Sequence, residues 1–143
     1  MTFEPSNWSK LHGAATHFPI ALMLVSAFCE AAAIVFRDGE WRRGFRFTAG
    51  LTLILGALGS YAAVLSGLVM ARWQVWGHGT LLRHHQFVWP AFALMTGLAT
   101  WRIVARNASE RRATVIYTAL MFLAAALMSG AGYWGGELLN GGQ

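Results

Sequence analysis

Four long apolar runs, separated by short stretches rich in arginine, histidine and glycine, set the pattern of the chain. They extend roughly from Phe18 to Phe36, Thr48 to Met70, Gln86 to Val104 and Ala113 to Trp134. A helix that crosses a bilayer needs about 20 mostly apolar residues, because the hydrocarbon core is ~30 Å thick and each residue rises ~1.5 Å. All four runs approach or exceed that length. The second and fourth contain no charged residue, and neither shows the polar stripe of a helix packed in water. The third is the weakest, with Arg102 near its end, placed to snorkel to the interface. The pattern predicts an all-α integral membrane protein, a four-transmembrane-helix bundle forming one domain over residues 1–143.

Composition agrees. Of 143 residues, 56% are hydrophobic and 12% charged, against roughly 25% charged in soluble domains. The sequence pI near 10.4 reflects arginines placed between apolar runs, a topology signal that argues against a nucleic-acid partner. Arg37, Arg42, Arg43 and Arg46 follow the first run, and Arg102, Arg106, Arg111 and Arg112 surround the end of the third. The other side holds only Lys10, Arg72 and Arg83. Under the positive-inside rule both termini and the middle loop face away from the cytoplasm. The expected location is a bacterial inner membrane with periplasmic termini. No cleavable signal peptide is expected. The single cysteine, Cys29, forms no intramolecular disulfide, and no Cys-x-x-Cys-His run is present for covalent haem attachment.

Small residues at spacing four, Gly59, Ala63 and Gly67 on the second helix and Ala126 and Gly130 then Gly132 and Gly136 on the fourth, predict close helix packing. Trp73, Trp76, Trp89 and Trp134 are expected in an aromatic belt at the outer interface. A short internal similarity links HGAATHFP, from His12, with HGTLLRHHQFVWP, from His78. It suggests a 2+2 parallel pseudo-repeat about an axis along the membrane normal, with His17 and the His84-His85 pair at matching depths.

All five histidines, His12, His17, His78, His84 and His85, fall at the outer end. Singly, each reads as an interfacial side chain, and His17 as a residue at the start of a helix before a first-turn proline, Pro19. Together they suggest haem b, whose iron takes imidazole ligands. His17 and His85 are the expected axial ligands to the haem iron, with His84 and His12 as substitutes if the register differs. Arg72 and Arg83, with Lys10, are candidates to pair with the propionates. Zinc held by imidazoles, or Cu(I) favoured by Met70, is the competing metal reading, although the spacings match no compact zinc motif. Glu30 is the acidic group well inside a span, about six residues or ~9 Å from the arginines. It is expected to pair with one of them or to relay protons. It lies roughly 220° around the helix from His17, off the histidine face.

The segment Leu11-His12-Gly13-Ala14-Ala15-Thr16-His17-Phe18-Pro19-Ile20-Ala21-Leu22 resembles the opening signature of a family of small bacterial four-helix membrane proteins, domain of unknown function 2231. That signature is a histidine, a second histidine five residues later, then Phe-Pro-Ile-Ala-Leu. Gly135-Gly136-Glu137-Leu138 resembles the family's closing Gly-Gly motif. The sequence departs at Gly13, where the family often has proline, and in its His84-His85 pair. Family members are often encoded near cytochromes and iron–sulfur proteins, so the resemblance implies respiratory electron transfer.

The expected function is therefore a membrane-bound haem b electron-transfer subunit, not catalytic alone, exchanging electrons with a periplasmic cytochrome, a dehydrogenase or a respiratory complex. The lipid bilayer is its medium and a homo-oligomer its candidate assembly. The alternatives are a cofactor-free structural or anchoring subunit, and a metal or proton pathway through the bundle.

Overall fold

A computed structural model describes residues 7–36, 39–105 and 111–141. Four α-helices account for nearly all of them: α1 (Asn7–Val35), α2 (Gly39–Met70), α3 (Gly79–Val104) and α4 (Arg111–Leu139). Each is long and apolar enough to cross a membrane, and α3 is the least apolar. Consecutive helices pack as hairpins, α1 with α2 and α3 with α4, and the ring closes through α1 with α4 and α2 with α3. The first and third helices thus stand diagonally opposed.

Every helix overruns its apolar run. The first begins at Asn7 rather than near Phe18, and the second at Gly39 rather than Thr48. Hydropathy marks where hydrocarbon begins, whereas the backbone hydrogen-bond ladder continues through the interface. Two corrections follow. Arg42, Arg43 and Arg46 ride on the first turns of α2 instead of a loop. Pro19 is a buried residue in the interior of α1, not in its first turn. A membrane helix tolerates that proline because neighbouring helices satisfy what its missing N–H leaves open. Arg37 and Arg106 lie outside the described residues.

The bundle is turned outward relative to a water-soluble one. Phe28, Leu58, Leu65, Ile116 and Phe122 are exposed, while Ala27, Ala57, Ala91, Ala124 and Ala131 are buried with Ser26 and Ser60. Lipid gives apolar side chains no reason to leave the surface, so contact depends on small residues that permit close approach. Gly56 is the tightest helix-to-helix seat, since a Cβ there would lie 3.2 Å from Leu22 Cβ and 3.7 Å from the Pro19 carbonyl oxygen. Other glycines receive rings: Gly59 takes Phe18 and Gly130 takes Phe87. Methionines fill the centre, with Met23, Met95 and Met121 fully enclosed; an unbranched thioether adapts to gaps between small neighbours.

At the arginine-rich end, Glu30 of α1 is 1% exposed. It pairs with Arg46 of α2 at 3.7 Å and with Arg102 of α3 at 3.6 Å. Arg102 also donates from Nη2 to the Arg46 carbonyl and lies over the ring of Tyr117 on α4. Gly50 makes room for it: a Cβ there would fall 2.9 Å from Arg102 Nε. One carboxylate therefore ties three helices, with the fourth stacked beneath. The sequence predicts one arginine partner for Glu30, and the fold supplies two.

Removing one side of a buried ion pair costs about 3–5 kcal/mol when the other charge is left unpaired. The side chains of Arg46 and Arg102 retain 35% and 23% exposure, and solvent screening should bring Glu30→Ala below that range, to about 2–3 kcal/mol. Unfolding in mild detergent titrated with a denaturing one checks this, with Glu30→Gln intermediate. Gly130→Ala should be destabilising by about 1–3 kcal/mol, because its Cβ would meet Phe87 Cδ1 at 2.5 Å. Gly97→Ala, with nothing within 4 Å, should be neutral or stabilising by up to about 1 kcal/mol.

Candidate functional site

The opposite end carries the histidines, and helix phase decides which of them face inward. His12 and His17 are five residues apart on α1, a turn of about 140°. His12 is half-buried against α2, and His17 is exposed. On α3, His85 is 6% exposed and His84 half-buried. His78 is exposed and occupies the N-cap of α3 in extended backbone, with no capping bond from its side chain. Three imidazoles, His12, His84 and His85, therefore line the inside of this end.

Each of the three is held by the same atom. His12 Nδ1 lies 3.1 Å from the Ala63 carbonyl oxygen, with Ser66 Oγ at 3.0 Å. His84 Nδ1 lies 2.9 Å from the Ala131 carbonyl oxygen, and His85 Nδ1 lies 3.1 Å from that of Trp76. A carbonyl only accepts, so Nδ1 is the protonated nitrogen in all three rings. Nε2 is then left with its lone pair. Histidines that ligate metals are oriented in this way, donating the other N–H to a carbonyl or carboxylate.

Glycine seats fix the rings. A Cβ at Gly67 would stand 2.9 Å from His12 Cε1, and one at Gly135 would stand 3.3 Å from His84 Cε1. Gly67 on α2 and Gly135 on α4 thus seat imidazoles, while Gly59 seats Phe18 and Gly136 meets nothing within 4 Å. Hydropathy gave no signal of this, because a glycine that faces a ring looks the same in sequence as one that faces a helix. The rings also neighbour one another. His84 and His85 have centroids 5.7 Å apart, and His85 and Trp89 6.0 Å. His12 and His84, on diagonal helices, are within electrostatic reach of each other.

The loop between α2 and α3 closes the end. At its start Trp73 N–H bonds the Leu68 carbonyl and Arg72 N–H that of Val69, a Schellman cap with Arg72 where glycine is usual. Arg72 and Trp73 both have positive φ, 51° and 64°, which is unusual for side-chain-bearing residues. Trp89 Nε1 donates to the Val75 carbonyl at 2.8 Å, so the loop is fastened to α3 on both sides of Val75–Trp76. Arg72 is exposed, as is Lys10. Arg83 stacks 4.9 Å from the centre of the Trp134 ring. Among the described residues, no three of His, Cys, Asp and Glu come together as a group able to hold a bare metal ion.

A family model described as "Predicted membrane protein (DUF2231)" matches residues 9–142. No curated protein and no solved structure matches the chain. The matched stretch takes in nearly all of α1, with His12 and Phe18–Pro19, and runs through the glycines that close α4. The chain belongs to this family of four-helix membrane proteins, DUF2231.

Proposed function

We propose that the protein is a haem b electron-transfer subunit of a bacterial inner membrane, with periplasmic termini and a periplasmic or respiratory redox partner. One observation carries the reading: three inward imidazoles share a tautomer that leaves Nε2 free for iron. The favoured pair is His12 and His84, on helices that stand diagonally across the bundle. His85 adjoins as the alternate on α3. His17, coupled with His85 on sequence grounds, faces out of the bundle and is left out of the pair. A haem held by two imidazoles would supply one-electron transfer without an open position for oxygen. The chain's own residues bind and orient: Ala63 and Ala131 fix the tautomers, Gly67 and Gly135 fix the ring planes, and Arg72 offers an exposed cation to a carboxylate.

A cofactor-free anchoring role is the second reading, and the same bonds favour it. His12 ties α1 to α2 and His84 ties α3 to α4, so the imidazoles serve as helix fasteners in their own right.

Protein purified in mild detergent from haem-replete cells separates the two. The haem reading requires a Soret band, sharp bands on reduction and iron in proportion to chain. His12→Ala and His84→Ala should each abolish the band, and His17→Ala should keep it. Interhelical hydrogen bonds in membranes are worth ~0.6 kcal/mol and at most ~1.7, too little for either loss to reflect unfolding. A colourless wild-type preparation that still co-purifies with a partner sinks the haem reading and supports the anchor.

A further inference from the structure

The third helix is placed against its composition. It is the least apolar of the four spans and also the least enclosed: 22% of its most apolar stretch is buried, against 44%, 33% and 39% in α1, α2 and α4. A bilayer sorts side chains the other way, turning the polar ones of a span toward protein or a water-filled cavity. The outward face of α3 shows the same inversion. From residue 83 to residue 100 its exposed positions are Arg83, Gln86, Pro90, Ala93, Gly97 and Thr100. Among the described residues, α3 exposes no large apolar side chain before Ile103, whereas α1, α2 and α4 present Phe28, Leu58 and Phe122 to the outside.

Spacing makes these six positions one surface. They recur at intervals of three, four, three, four and three residues, the repeat that holds one side of a helix against a partner helix at a shallow crossing angle. From Gln86 to Thr100 the stripe runs ~21 Å along the axis, most of the ~30 Å hydrocarbon thickness. A Cβ at Gly97 would meet nothing within 4 Å, so this glycine, unlike Gly56, seats nothing within its own chain. With Ala93 it leaves room for a second backbone to approach closely. The Gln86 amide is exposed and unbonded among the described residues. Arg83 leans toward α4, where it stacks on Trp134, and so keeps its charge away from the centre of the stripe.

We propose that this face of α3 is a homodimer interface, in which two copies pack their third helices in parallel about a two-fold axis along the membrane normal. Ala93 and Gly97 lie at the crossing, and Gln86 pairs with Gln86. A second copy is the occupant that the face fits. Two copies share one membrane orientation, so identical residues meet at equal depth. A primary amide carries donors and an acceptor together, so two Gln86 side chains satisfy each other, and a contact of that kind closes as a two-fold pair. The stripe holds no carboxylate and its one cation is drawn aside, so it calls for no partner of opposite charge. The interface is on the outside of the bundle and does not depend on what the histidines hold.

Disulfide cross-linking of the full chain in native membranes, with Cys29→Ser as background, decides the matter. On oxidation, Ala93→Cys and Gly97→Cys should each give a covalent dimer of the chain, and Leu58→Cys on the outer face of α2 should not. Energy transfer between terminally labelled chains diluted in lipid vesicles gives the affinity. Gln86→Leu should weaken association roughly three- to twentyfold, the range for one interhelical hydrogen bond in a membrane. Gly97→Leu should weaken it roughly tenfold or more by overpacking the crossing. Its helix content should hold, because the added side chain meets nothing within the chain. Absence of a covalent dimer at both positions overturns the proposal. So does capture of a different protein by Gly97→Cys in place of a second copy, or association that Gly97→Leu leaves undiminished.

Discussion

Inside a bilayer no water is available to satisfy a polar group, so a buried donor or acceptor is costly unless the chain supplies its partner. That constraint orders this molecule more than hydrophobicity does. The buried hydroxyls of Ser26, Ser60 and Ser66 all donate to backbone carbonyls. The charge of Glu30 is met by two arginines drawn from neighbouring helices. The inward histidines are met by carbonyls of α2, α4 and the loop before α3. Polar chemistry is thereby sorted to the two ends, and the middle is left to alanine, leucine and methionine.

The two ends solve the constraint differently. At the arginine-rich end, charges hold helices together, and three elements converge on one carboxylate. At the histidine end, neutral hydrogen bonds fasten α1 to α2 and α3 to α4, and His85 and Trp89 hold α3 to the loop that follows α2.

The spans were legible because hydropathy over some twenty residues reports the hydrocarbon thickness directly. Glu30 was legible too, since an intramembrane carboxylate near arginines is bound to find them. Helix starts were not, because turns such as Gly39–Phe47 lie outside the apolar core yet still hydrogen-bond as helix. That single misreading moved Pro19 from a first turn to an interior. Rotational phase was the other gap. His12 and His17 both belong to the opening motif, but only the bundle's packing shows that Ala63 faces the first and nothing internal faces the second. Tyr117 carried no signal at all, as one tyrosine in an apolar run looks like any other aromatic until Arg102 is found above it.

What a buried polar group leaves unspent is therefore more informative than what it touches. The serine hydroxyls each have one proton and give it to a carbonyl. An imidazole differs because satisfying Nδ1 leaves Nε2, a second site of opposite character. The Tyr117 hydroxyl is the converse case, buried beneath Arg102 with no acceptor for its proton among the described residues. The inward imidazoles also fasten helices, His12 to α2 and His84 to α4, so helix packing engages one nitrogen of each ring and leaves the other.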